Sequence, residues 1–191
     1  VLRAGTVLKP QHVGIAASVG KTRLRVSSRP RIQLITTGDE VTAPQIETSQ
    51  LEPQQIRNSN GPMLKAFIAA LGAGDPVHFH VRDSAEATLE AADKALNEGD
   101  LVITVGGVSA GHRDWLPWAW SKLGLSTIVH GVQIQPGKPL LVARPKSDVG
   151  KLVIGLPGNP VSVLATAHLF LWPVFACAMA ADPPPWRKVT L

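Results

Sequence analysis

A chain of 191 residues that is 45% hydrophobic and 17% charged has a globular balance, which excludes a disordered or collagen-like polymer. Its single cysteine, Cys177, excludes an internal disulfide framework and any multi-thiolate zinc site, and fits a reducing, cytoplasmic setting. The net charge of +5 is unevenly placed: Arg3, Lys9, Lys21, Arg23, Arg25, Arg29 and Arg31 all precede the first acid, Asp39.

That basic arm reads as a solvated face, with Lys21, Arg23 and Arg25 alternating on a strand. Nucleic acid is not the expected partner, because no basic helix, aromatic-interleaved strand or zinc-finger spacing accompanies the charge. A membrane is not expected either: no apolar run reaches the roughly 18 residues of a span, and no charged-then-apolar leader opens the chain. The sequence starts at Val1 and holds only Met63 and Met179, so it reads as a piece of a longer protein.

In chain order, Arg31–Thr36 (RIQLIT) is a β-branched run ending in Thr-Gly-Asp-Glu, a strand feeding a turn. Residues 42–60, rich in Gln, Pro and Ser, read as a loop. Leu64, Phe67, Ile68 and Leu71 follow at helical spacing and stop at Gly72 and Gly74. Val77–Val81 alternates apolar residues with His78 and His80, a strand with one different face. Ala85, Leu89, Ala92 and Leu96 mark a second helix ending at Gly99. Leu101–Val105 is apolar but for Thr104, as a strand buried on both faces would be. A glycine-rich loop leads to a short helix near Trp115–Leu123. Ser126–Ile134, Leu140–Ala143 and Leu152–Ile154 read as strands. A long apolar helix runs from Pro160 to about Met179, with a kink expected at Pro173.

This alternation predicts an α/β fold: a three-layer α/β/α domain with a mostly parallel, mixed sheet and helices on both faces. In such sheets ligands bind beyond the carboxyl ends of the strands, which singles out the loops after Thr36, Val81 and Val105. In Thr36-Thr37-Gly38-Asp39-Glu40, hydroxyls and backbone N–H groups suit an anion, and the paired carboxylates suit a divalent cation beside it; an Asx turn is the structural alternative. The stretch from Gly106 and Gly107 through Ser109 and Gly111 to Asp114 suits a phosphate or a flat polar ring, although its spacing is neither the dinucleotide fingerprint nor a Walker loop. Asp114 reads equally as a metal ligand or an N-cap. Gln135-Pro136-Gly137-Lys138-Pro139 presents Lys138 as a stiffly held charge for an oxyanion. Gly155-Leu156-Pro157-Gly158-Asn159-Pro160 is a rigid turn in which Asn159 caps the last helix. Asp83 and Asn60 both read first as helix caps. His78 and His80 lack a third ligand for a metal, and Trp115, Trp118 and Trp120 read as packing rather than stacking platforms.

TTGDE, Arg57-Asn58-Ser59-Asn60, Val81-Arg82-Asp83, GGVSAGxxD, PGKP and GLPGNPVS occur here in one order. Together they resemble the molybdopterin molybdotransferase family, the MoeA-like proteins and the gephyrin E domain, over about residues 30–180. The resemblance implies a molybdopterin-binding domain of MogA-like fold at 30–181, a connector from an amino-terminal subdomain at 1–29, and a linker to a carboxy-terminal subdomain at 182–191. It implies insertion of molybdenum from molybdate into adenylylated molybdopterin, with release of AMP, magnesium as cofactor, and a homodimer in the full-length form.

By the same resemblance Asp39, Asp83, Asp114 and Lys138 are catalytic, and Glu40 and Asp114 hold magnesium. Thr36, Thr37, Gly38, Asn60, Gly106, Gly107, Ser109, Gly111, Pro136, Gly137, Pro157, Gly158, Asn159, Pro160 and Ser162 bind the pterin, nucleotide or molybdate. The sequence departs from the family where many members carry lysines: Gln135 and Gly131 stand there instead. At an effective dielectric near 20, a charge lost about 4 Å from an anion costs on the order of 4 kcal/mol before screening. Two further readings therefore stay open: a non-catalytic molybdopterin carrier or regulator, and a molybdopterin adenylyltransferase.

Overall fold

Strand β1 (Ile32–Thr37) lies between two parallel partners, and the rest of the molecule is arranged around it. The structure, a computed structural model, describes residues 2–108 and 114–182. Ahead of β1 come a short helix α1 (Pro10–Ser18) and an exposed stretch without regular structure that carries Lys21, Arg23 and Arg25. The expected strand is absent there; its polar side chains have no neighbouring strand to pair with. After β1 the elements are β2 (Val41–Thr42), β3 (Ile56–Arg57), α2 (Asn60–Ala70), β4 (Val77–Val81), α3 (Ala85–Glu98) and β5 (Leu101–Val105). They are followed by α4 (Trp115–Lys122), β6 (Leu125–His130), β7 (Leu141–Pro145), β8 (Leu152–Leu156) and α5 (Pro160–Ala178).

Six strands form one sheet in the order β4-β1-β5-β8-β7-β6. The first four run parallel, β7 runs antiparallel to β8, and β6, antiparallel to β7, again runs with the first four. Alternation along the central strands feeds two cores. Leu34, Ile103 and Ile154 face α2 and α5, where Leu64, Ile68, Val163, Ala167, Leu171 and Phe175 cover them. Ile35, Val102 and Val153 face α3 and α4, where Ala92, Ala95, Leu116 and Trp120 cover them. Each such aliphatic side chain contributes about 1.5–3 kcal/mol by leaving water. This is the three-layer α/β architecture the sequence pattern predicts.

Residues 42–60 are more ordered than a plain loop. β2 and β3 pair in parallel as a separate two-stranded ribbon, and Thr48–Gln50 makes a 3₁₀ turn. Just before Pro173, where a kink is expected, the helix widens into a π-helical segment, Ala167–Leu171. The wider turn accommodates the missing N–H of proline and its clash with the preceding carbonyl. Contrary to the sequence expectation that no apolar run is long enough, this 19-residue helix, of mean hydropathy 1.8, is long and apolar enough to cross a membrane by length and composition. It lies along the sheet, with Val163, Ala167, Leu171 and Phe175 fully buried.

Candidate functional site at the β1–β5 crevice

The chain leaves β1 for α2 on one face of the sheet and leaves β5 for α4 on the other. The loops after these neighbouring strands therefore diverge, and a crevice opens between them at the carboxyl rim. Gly106 and Gly107 follow β5 with φ of +83° and +62°. A side chain at Gly106 would come within 2.9 Å of Thr37 Oγ1. Glycine thus lets the β5 loop close against the end of β1, while the Gly106 N–H donates to the Leu156 carbonyl at 3.1 Å and ties the loop to β8.

At the β1 turn, Gly38 has φ of +129°, and the space a Cβ would fill is taken by the Glu40 carboxylate, 2.9 Å from that position. Asp39 Oδ1 accepts the backbone N–H of Asp83 at 3.1 Å, so the turns after β1 and β4 are tied. Asp39, Glu40 and Asp83 then line one cavity of about 550 Å³ with Glu52, Gln54, Gln55 and Trp115. Asp39 and Asp83 also border a larger neighbouring hollow of about 1120 Å³, where Arg82 and Lys94 supply positive charge. Burial first, and then the Asp39 charge, raise the Asp83 carboxyl above its ordinary range. Crowded carboxylates of this kind favour a bound divalent cation. Among the described residues, no three His, Cys, Asp or Glu side chains are grouped closely enough to hold a metal alone. Magnesium commonly takes only one or two carboxylates together with substrate phosphate, and this donor set fits that mode.

Several expected roles are corrected. The Thr36 hydroxyl does not face a ligand: Thr36 is 3% exposed and its oxygen is engaged by Asn58, His78 and His80. Asp83 is not a helix cap; Ser84 Oγ takes that role by accepting from Ala87 N at 3.2 Å, which leaves Asp83 to the cavity. Asn60 does not cap α2 either. Asn58 Oδ1 accepts from Gly61 N at 2.9 Å, while Asn60 Nδ2 reaches across the rim to the Gly158 carbonyl at 2.7 Å. The oxygen of that amide, Asn60 Oδ1, is buried without a partner among the described residues. Asp114 does occupy the N-cap position of α4, next to Trp115 on the cavity wall.

The turn after β8 joins this rim. Asn159 Oδ1 accepts from Val161 N and Ser162 N at 3.0 and 3.3 Å, the capping geometry expected of it, and Pro160 begins the helix. Pro157 and Ser162 are buried behind it, and Gly158 approaches Gly106. Pro136, Gly137 and Lys138 lie in the connection between β6 and β7, which leaves from the same end of the sheet. Gly137 is packed on Thr166 and Lys138 is exposed, its carbonyl accepting from Val132 N and Leu140 N. With β5 and β8 between β1 and β7, this loop stands about 14 Å from the acidic turn at ordinary strand spacing. Lys138 therefore belongs to another part of the rim than Asp39, Glu40 and Asp83. Ser109 and Gly111 lie outside the described residues. Sequence reasoning passed over Glu52, Gln55 and Trp115 as cavity residues; the adjacency of Trp115 to Asp114 was the available signal.

This arrangement defines an α/β small-molecule-binding domain whose site occupies a switch point of the sheet. The sequence matches the family described as "Probable molybdopterin binding domain" over residues 33–176, and the chain belongs to that family. It is 40% identical over 188 residues to a molybdopterin molybdenumtransferase of Synechococcus elongatus, covering 97% of this chain and 46% of that protein. A namesake from Staphylococcus epidermidis is 36% identical over 181 residues, covering 95% and 42%. The chain thus spans less than half the length of these curated relatives. Among solved structures, the molybdopterin biosynthesis MoeA protein of Pyrococcus horikoshii superposes with a TM-score of 0.80 at 34% identity, over 93% of this chain and 42% of that one. A Mycobacterium ulcerans Mog protein shares the fold, with a TM-score of 0.56 at 17% identity, over 79% and 97%.

Proposed function

We propose that the chain is the molybdopterin-binding part of a cytoplasmic molybdopterin molybdotransferase, which inserts molybdenum from molybdate into adenylylated molybdopterin and releases AMP. The observation that carries this reading is the meeting of Asp39, Glu40 and Asp83 in one cavity beside the glycine crevice between β1 and β5. Two anionic partners must approach one another there, so their repulsion has to be offset by fixed N–H groups and a cation. In this reading the N–H groups of Gly38 and Gly107 would receive phosphate, with Thr37 beside them, while the Gly106 N–H, bonded to the Leu156 carbonyl at 3.1 Å, holds the cradle's shape. Magnesium held by Glu40 and Asp114 would neutralise the phosphate charge as molybdate arrives. Asp39 orients the site through its bond to Asp83 N, and the raised Asp83 carboxyl can hold a proton at its oxygen near the leaving nucleotide. Lys138, with Pro136, Gly137, Pro157 and Pro160, serves the molybdate side of the rim, while Asn60 and Gly158 close the pterin side.

Homodimerisation belongs to the same reading. Val161, Leu164, Leu169 and Trp172 form an exposed apolar stripe on α5, and analytical ultracentrifugation reports whether it is covered.

The test supplies adenylylated molybdopterin, magnesium and molybdate and follows AMP by chromatography. Molybdate-dependent AMP release, slow for this chain alone, is the expected result. Tight pterin binding without AMP release favours the carrier reading, for which Gln135 and Gly131 speak. Consumption of ATP with free molybdopterin favours the adenylyltransferase.

A further inference from the structure

A polar cluster beneath the β1 turn is left unexplained by that function. The Thr36 hydroxyl has three partners: Asn58 Nδ2 at 2.9 Å, His78 Nε2 at 3.1 Å and His80 Nδ1 at 3.1 Å. A hydroxyl offers one proton and two lone pairs, so three contacts can be satisfied only if the protons are distributed in one particular way.

Two backbone groups fix that distribution. Gly61 N–H donates to Asn58 Oδ1 at 2.9 Å, which leaves the Asn58 amide nitrogen as a donor to Thr36. The Gly38 carbonyl can only accept, so His80 Nε2, 3.0 Å away, carries a proton. In the neutral ring His80 Nδ1 is then bare, and the Thr36 hydroxyl donates to it. The remaining lone pair of Thr36 accepts the Nε2–H of His78. Burial first, and then the Lys65 charge, lowers the His78 imidazole pKa and favours its neutral form. Each donor meets one acceptor, and no two donors oppose each other.

The cluster spans three parts of the rim. Gly38 opens the turn that carries Asp39 and Glu40. Asn58 leads into α2, and there Asn60 Nδ2 holds the Gly158 carbonyl of the turn after β8. Removing the His80 ring would release the Gly38 carbonyl and the Thr36 hydroxyl together.

We infer that His80 is a positioning residue: by holding the Gly38 carbonyl and the Thr36 hydroxyl at once, it sets the turn that aims Asp39 and Glu40 at the substrate. Its ligand-related consequence rests on the molybdotransferase reading, whereas the tie itself rests on geometry alone.

Two measurements test it. Long-range ¹H–¹⁵N correlation spectra of the ligand-free chain at neutral pH should show His80 and His78 both protonated on Nε2 and bare on Nδ1. A His80 protonated on Nδ1, or exchanging between tautomers like free imidazole, overturns the inference and leaves the functional reading standing. Calorimetry with magnesium and AMP then compares the wild type with His80→Ala and His80→Gln. Loss of two neutral hydrogen bonds corresponds to about tenfold weaker binding for the alanine variant. Glutamine, which keeps a donor for Gly38, should stay nearer the wild type. A merely structural role would lower both melting temperatures without separating the affinities. Equal affinities in all three proteins overturn the inference alone. Absence of binding by the wild type overturns the functional reading, and with it this role for His80.

Discussion

The backbone N–H of Asp83 donates to the Asp39 carboxylate at 3.1 Å, so one acid orients the turn that presents the other. Two carboxylates on adjacent strand ends are thereby held close with no salt bridge to either among the described residues, and the crowding appears in the raised Asp83 carboxyl.

Its pH signature has a definite sign. A carboxyl whose folded pKa lies above its unfolded one binds more protons in the native state, so stability falls as pH rises through the interval above the ordinary 3.8. Asp83→Asn should therefore raise the melting temperature at pH 7, and the gain should disappear near pH 3. Thermal melts of both proteins at the two pH values check this.

Gly106→Ala forces a left-handed residue to carry a Cβ that meets Thr37 Oγ1 at 2.9 Å. The expected cost is about 1–3 kcal/mol of stability, read from the urea midpoint at unchanged slope.

Asn159 offers the two Asn159-cap bonds to the N-terminus of α5. Asn159→Ala should lose about 1 kcal/mol, whereas Asn159→Asp should keep most of it. Chemical denaturation distinguishes the three proteins.

Trp115 walls the acidic cavity and meets Trp118 edge-on, with ring centroids 5.9 Å apart. Under the proposed function, magnesium with AMP should change the tryptophan emission of the wild type. Trp115→Phe should remove most of that change, and stopped titrations on the two proteins show whether it does.

Gln135 is exposed in the connection between β6 and β7. Gln135→Lys should tighten molybdate binding about tenfold at low salt, and the gain should shrink as ionic strength rises. Isothermal titration at two salt concentrations measures it.

Much of this architecture could be read directly from residue order. Leu101–Val105 announced a strand buried on both faces, and Leu64, Ile68 and Leu71 announced the helix that covers one of them. The misreadings share a cause: they involve groups distant in sequence. Ile56 pairs with Val41 in a two-residue strand too short to show a period. Asn60 looks like a cap until Gly158, 98 residues later, is seen to accept from it. Asp83 and Ser84 compete for one cap, and only the geometry tells that the hydroxyl wins. The glycines of the β5 loop were recognisable as functional candidates, but their closure on Thr37 depends on the strand order.

β4 is an edge strand, bonded along its backbone to β1 alone. A methyl group at Gly61 would overlap the His78 ring, so the first turn of α2 is seated directly on the imidazole. Positions 36, 58, 61, 78 and 80 consequently form one interlocking set, in which a lone exchange strands a donor or creates a collision. Such a set is expected to drift in natural variants only as a block, with a histidine pair arriving or departing alongside its threonine, asparagine and glycine.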